Sequence, residues 1–165
     1  FDIDRDDLDM SKGNAVVADG TVYVADVMNL DNPYLYAIDA ETGEERWRFY
    51  DDEISQIMDD PAVADGVVYF NHDRNTTALD AETGERLWTK KIREELAGGV
   101  YGKPTVADDV LYVNGTAFIT GIDPATGDVL FDHEFEKELN DVELVVLEDT
   151  IYAVGDDAVV AFEAV

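Results

Sequence analysis

Asp2, Asp4 and Asp6 stand at the alternate spacing with which a calcium-binding loop offers its first ligands. Such a loop also needs Gly at its sixth position and a bidentate Glu at its twelfth, and those positions hold Asp7 and Gly13. The stretch therefore reads as a solvated acidic loop. His72 and His133 are the only histidines, set in "NHDRN" and "DHEFE". Neither has a second His at metal-ligand spacing or a Ser or Cys nucleophile beside it, so both are expected on the surface. Arg74, Arg93 and Lys103 could meet at a pore and bind an anion, but scattered surface ion pairs are the simpler reading. Asp39, Asp80 and Asp123 have the side chain of a general base, yet they recur once per repeat. A residue needed in every repeat is a turn residue, its carboxylate taking up local backbone N–H groups. No catalytic, cofactor-binding or metal-ligating residue is assigned, and the chain is expected not to be an enzyme.

The elements that carry these residues are written several times over. "AIDAETGEERW" (37–47) returns as "ALDAETGERLW" (78–88) and, less closely, as "GIDPATGDVLF" (121–131). Gly43, Gly84 and Gly127 are thus 41 and 43 residues apart. Upstream of each copy runs a second signature: "VVADGTVYV" (16–24), "AVADGVVYF" (62–70), "TVADDVLYV" (105–113) and "VVLEDTIYA" (145–153). Its tyrosines Tyr23, Tyr69, Tyr112 and Tyr152 are spaced 46, 43 and 40. The repeats span about 14–50, 61–93, 104–137 and 143–165 of a single domain, 1–165. Each unit reads as four short strands. Asp-Gly between two alternating apolar runs is a strong hairpin signal, and Gly after Thr supplies the positive φ of the next turn. "KKIREELAGG" (90–99) has the nearest thing to a helical period and reads as a strand end plus loop.

Four-stranded units at this period predict an all-β fold of antiparallel β-propeller blades, about four of them. The Trp of the last strand then has a purpose. Its ring buries roughly 150–250 Å², about 4–6 kcal/mol as an upper figure, if it is wedged between neighbouring blades. Trp47 and Trp88 hold that position, and Phe131 replaces them in the third unit.

The residues at these positions resemble the PQQ-like, quinoprotein-type propeller repeat, whose pattern is Ala-x-Asp-x-x-Thr-Gly-x-x-x-Trp. Ala37, Asp39, Thr42, Gly43 and Trp47 match throughout, as do Ala78, Asp80, Thr83, Gly84 and Trp88. The third copy keeps Asp123, Thr126 and Gly127; the fourth keeps Ala161 and has Glu163 in place of Asp. The resemblance implies a ring of seven or eight blades, of which this chain would be a part or a half. "FDID" (1–4) resembles the tail of an outer strand, and "AFEAV" closes the sequence where a turn and Trp strand would begin. Three arrangements are open: part of a longer propeller, two copies joined as an eight-bladed ring, or an N-terminal strand completing the fourth blade of a small ring. The family serves both quinone-dependent dehydrogenases and non-enzymatic scaffolds. Its enzymes use a quinone with calcium, a catalytic Asp and often a vicinal Cys pair, and this chain has no Cys. A non-catalytic scaffold for a protein or other ligand is the first expectation. A fragment of a PQQ-dependent quinoprotein dehydrogenase and a structural cell-surface module are the alternatives. The longer loops 26–34 and 50–61 offer Met28, Leu30, Ile54 and Met58 either as contact residues or as closure of the blade rims.

Thirty-nine acidic against 11 basic residues leave a net charge of −28, with only five Lys. The folded surface expected from the mass is roughly 8,000 Å², which sets carboxylates about 14 Å apart. The Debye length is about 10 Å at 0.1 M salt and about 3 Å at 1 M, so neighbouring acids repel until salt is molar. The distribution along the whole chain points to adaptation to high salt, a halophile's protein. It makes nucleic acid a poor partner, since no basic stripe is present to release counterions. No apolar run approaches the ~20 residues that span a bilayer. The start at Phe1 rather than Met is expected of a processed or truncated product. Asn75-Thr76-Thr77 and Asn114-Gly115-Thr116 fit the N-glycosylation pattern and point outward, to an extracytoplasmic or cell-surface location, with the cytoplasm still open.

Overall fold

A computed structural model describes residues 15–26, 33–57, 59–92, 100, 102–136, 138–139, 142–147, 150–156 and 158–163. The segments 1–4 and 2–9, and Met28, Leu30, Met58 and Arg93, lie outside the described residues. Among the described residues the regular elements are all strands. Blade 1 comprises β1 (Val16–Ala18), β2 (Thr21–Ala25), β3 (Leu35–Asp39) and β4 (Glu45–Phe49). Blade 2 comprises β5 (Ala62–Ala64), β6 (Val67–His72), β7 (Asn75–Asp80) and β8 (Arg86–Lys91). Blade 3 comprises β9 (Thr105–Ala107), β10 (Val110–Asn114), β11 (Phe118–Ile122) and β12 (Val129–Glu134). Blade 4 has β13 (Glu143–Leu147), β14 (Thr150–Val154) and β15 (Val159–Glu163). Each blade is an antiparallel meander in which sequence neighbours pair. The first strands of successive blades, β1, β5, β9 and β13, lie side by side, as the inner strands of a propeller must.

The sequence dictates each hairpin locally. Asp19-Gly20 and Asp65-Gly66 both sit at positive φ at both residues, the geometry of a tight type I′ turn. Blade 3 makes the same turn from Asp108 (φ 50) and Asp109 (φ 61), with no Gly to relieve it. Register then puts Tyr23 opposite Ala37, Tyr69 opposite Ala78, Tyr112 opposite Gly121 and Tyr152 opposite Ala161. In blades 1 to 3 the third and fourth strands share a one-residue bulge, between Ala37 and Ile38, Ala78 and Leu79, and Gly121 and Ile122.

Strand alternation gives every blade two apolar faces, and the core lies between blades rather than inside one. Tyr23, Ala37 and Trp47 of blade 1 pack on Val68, Phe70 and Leu79 of blade 2. Tyr69 and Ala78 of blade 2 pack on Leu111, Val113 and Ile122 of blade 3. Tyr112 and Ile119 of blade 3 pack on Leu144, Ile151 and Ala153 of blade 4.

Candidate functional site: blade turns and the inner groove

The repeated aspartates are consumed by their own turns. Asp39 Oδ1 accepts hydrogen bonds from the Glu41 and Thr42 amides at 3.0 and 2.8 Å and from the Thr42 hydroxyl at 3.0 Å. Asp80 does the same with Glu82 and Thr83, at 3.0, 2.8 and 2.9 Å. Asp123 accepts from the amides of Ala125 and Thr126 at 2.8 and 3.2 Å. Arg46 reaches the second oxygen of Asp39 at 2.6 Å, and that bond, with the Thr42 amide, holds the carboxyl far below the ordinary carboxylate range. Asp80 is lowered as well, chiefly by the Thr83 amide.

In blades 2 and 3 the Gly that ends the turn is a platform for the Trp of the preceding blade. Gly84 (φ 74) lies under Trp47: a Cβ there would meet the indole Cδ2 at 2.7 Å. Gly127 (φ 74) lies under Trp88, with the corresponding approach at 3.0 Å. Trp47 Nε1 donates to the Ala81 carbonyl and Trp88 Nε1 to the Pro124 carbonyl, both at 3.0 Å. Tyr23 and Tyr69 donate to the same two carbonyls at 3.2 and 3.4 Å. Burial, with Asp65 and Asp123 nearby, pushes the Tyr69 hydroxyl up to about 12. The Gly and the Trp therefore recur at one offset because each blade's Trp needs the next blade's Gly.

The inner strands border a groove of about 870 Å³. Val16, Ala62, Thr105 and Glu143 come to it from β1, β5, β9 and β13, and Asp60 and Lys103 from the loops between blades. Buried amides brace its wall. Asn71 Nδ2 donates to the Gly102 carbonyl at 2.9 Å while its Oδ1 accepts from Thr76 at 2.7 Å. Asn114, one repeat on, donates to the Val142 carbonyl at 3.4 Å. Its Oδ1 is buried without a hydrogen-bond partner among the described residues, because Ile119 occupies the place of Thr76.

One expectation is corrected, and the other singled-out residues are placed as follows. His72 is not on the surface: it is 5% exposed, with Nε2 2.8 Å from the Thr77 hydroxyl and Nδ1 3.4 Å from Asp73. Its place was legible in the alternation Val68, Phe70, His72, which puts the ring on the face turned to blade 1. Burial drives its pKa below 6.5, against the opposing pull of Asp73. His133 is exposed as expected, and its ring stacks on Phe162 at 4.9 Å. Lys103 lines the groove, whereas Arg74, exposed at the tip of the β6–β7 hairpin, is not among its lining residues. Ile54, 6% exposed, is core, the second of the two roles its loop offered. Asn114 is 1% exposed with its amide engaged, so its glycosylation pattern is closed off in the folded chain. Asn75 is half-buried at the start of β7.

Antiparallel meanders of three or four strands, set side by side by their inner strands and locked at two junctions by an indole on the next turn, make this chain a β-propeller. The family model described as outer membrane protein assembly factor BamB, of the PQQ-like repeat type, matches residues 3–165, and the chain belongs to that family. No curated protein sequence matches it. Among solved structures it is similar to BamB from Moraxella catarrhalis, with 24% identity and a TM-score of 0.67 over 90% of this chain and 47% of that one. It is similar also to the quinohemoprotein alcohol dehydrogenase of Comamonas testosteroni (22%, TM-score 0.64, 74% of this chain and 21% of that one). Saccharomyces cerevisiae Sqt1 shares the fold at 14% identity and a TM-score of 0.74, over 94% of this chain and 46% of that one. The chain thus spans half or less of the length of these structures.

Proposed function

We propose that this chain is a non-catalytic propeller scaffold that binds a protein partner outside the cytoplasm and is adapted to high salt. The observation that carries the reading is the use to which the reactive side chains are put. Asp39, Asp80 and Asp123 each give one carboxylate oxygen to the amides of their own turn, and His72 is buried against Thr77. Each of these groups holds the fold, while the loops between blades leave an open groove of mixed polarity. The family description, an outer membrane protein assembly factor, supports both the scaffold role and the extracytoplasmic location. Among the described residues no helix is long and apolar enough to cross a membrane.

Two measurements test the proposal. A photo-crosslinking side chain at Lys103, in the groove, is expected to capture a protein that the same probe at the outer-strand residue Leu130 does not. Titration with PQQ and calcium is expected to leave the quinone absorbance unchanged and to give no alcohol or sugar oxidation. Quinone-dependent oxidation would overturn the scaffold reading in favour of a quinoprotein dehydrogenase fragment.

A further inference from the structure

Asn71 and Asn114 stand at the same place in blades 2 and 3, two residues after Tyr69 and Tyr112. Each donates its amide to a carbonyl of the connection into the next blade, at Gly102 and Val142. Their oxygens differ. Asn71 Oδ1 accepts from the Thr76 hydroxyl at 2.7 Å. In blade 3 the Thr76 position is Ile119, and Asn114 Oδ1 is buried with no hydrogen-bond partner among the described residues. A buried acceptor without a donor is a cost that folded chains rarely carry. Asn114 lines the groove, and so does Gly102. A Cβ at Gly102 (φ 92) would stand 3.1 and 3.2 Å from the two amide atoms of Asn114 and 3.2 Å from the Val142 carbonyl oxygen, so any other residue there would cap the amide. The charged groups that share the lining, among the described residues, are the carboxylates of Asp59, Asp60 and Glu143 and the single ammonium of Lys103. All of these positions lie at junctions between described blades.

We propose that this wall of the groove binds the guanidinium of an arginine side chain on the partner, one N–H donating to Asn114 Oδ1 and the charge facing Glu143 and Asp60. The proposal rests on the groove being the partner-binding face and adds the chemistry of what enters it. The Asn114 oxygen, the Val142 carbonyl and the carboxylates are all acceptors, so a ligand must bring donors and positive charge. A guanidinium has five N–H donors and no acceptor, and it is more weakly hydrated than an ammonium, so it gives up less water on entry. An anionic group would set acceptors against acceptors and meet three carboxylates for one ammonium, which is discrimination by repulsion. Asn71 makes no such site, because Thr76 already supplies its donor.

The test is an NMR titration of the 165-residue chain with acetyl-arginine methylamide in about 1 M KCl, where long-range attraction to the acidic surface is screened. The side-chain amide signals of Asn114 and the backbone amide of Gly102 are expected to shift saturably, while the Asn71 side-chain amide stays in place. The citrulline derivative, equal in shape and uncharged, is expected to bind about tenfold more weakly. Ile119→Thr copies blade 2 and gives Asn114 Oδ1 an internal hydroxyl, so affinity is expected to fall about tenfold with far-ultraviolet circular dichroism unchanged. Glu143→Gln, at an exposed residue, is expected to weaken binding about twofold to fivefold, and Lys103→Gln to tighten it. Equal shifts with the citrulline derivative overturn the proposal. So does weaker binding by Lys103→Gln, which would mean an anionic ligand, and so does an affinity indifferent to Glu143→Gln and Ile119→Thr alike. A protein captured from position 103 without any arginine-dependent shift at Asn114 overturns this inference and leaves the scaffold reading standing. A shift at Asn114 with no captured protein upholds the site and counts against the scaffold reading instead.

Discussion

Gly84 meets two demands at once, a positive φ and the absence of a Cβ beneath Trp47. Gly20 has the same φ requirement with nothing within 4 Å of a would-be Cβ. Gly20→Ala is therefore expected to cost only the left-handed penalty, about 1–2 kcal/mol. Gly84→Ala adds a clash with an anchored ring and is expected to cost about 2–4 kcal/mol. Chemical denaturation of both variants checks the difference. Asp109 shows the reverse case, a side chain where blades 1 and 2 carry Gly, and Asp109→Gly is expected to stabilise by about 0.5–1 kcal/mol. His72 sets a pH dependence. Its folded pKa lies below the unfolded value of 6.5, so below pH 6.5 the unfolded chain binds more protons and stability falls as the medium is acidified. His72→Gln is expected to flatten that slope below about pH 6.5, measured by thermal melts across the acid range. Deeper acidification then protonates Asp39, Asp51 and Asp80, whose lowered pKa values add stability that is lost only below their ordinary range.

At the scale of the element, the working unit is the outer-strand aromatic together with the following blade's turn. Trp47→Phe keeps the apolar body and loses the donor to the Ala81 carbonyl, so a cost of about 1–2 kcal/mol is expected. Trp47→Ala opens a cavity between blades and is expected to cost about 3–5 kcal/mol by the same denaturation assay. Blade 3 already carries the smaller ring. Phe131 packs across its own strand pair on Gly121, where blades 1 and 2 pair Trp with Ala. The strands and both kinds of turn were legible in the sequence, because Asp-Gly, the Thr-Gly pair and period-two alternation are local rules. The exchange of the Trp47 and Trp88 donors with carbonyls one blade on was not, because it joins residues 34 and 36 apart that no local rule pairs. The placement of Ile54 was hidden for the same reason. Its loop folds back under blade 2, where the Ser55 hydroxyl and amide bond Asp73 and Ile57 bridges His72.

At the scale of the whole molecule the acids dominate. With a net charge of −28, repulsion across a surface of this size is expected to lower stability at ordinary ionic strength and to fade as the Debye length contracts from about 10 Å to about 3 Å. The thermal midpoint is therefore expected to rise by roughly 10 °C or more between 0.1 and 2 M KCl. A midpoint indifferent to salt would sink the reading of the charge as an adaptation. Among the described residues Arg46–Asp39 and Arg86–Asp51 are close pairs, and the second bridges the loop before blade 2 to that blade's outer strand.

The sequence by itself determined the repeat, the blade, the turn role of Asp39, Asp80 and Asp123, and the family. All of these follow from spacing along the chain, which residue order records directly. Only the tertiary structure decided that Asn114 is buried with its amide on the Val142 carbonyl, that Lys103 lines the groove while Arg74 does not, and that each Trp donor meets a carbonyl of the next blade. Those facts depend on what stands across an interface, and the distance between blades in space leaves no periodic mark in the order of residues.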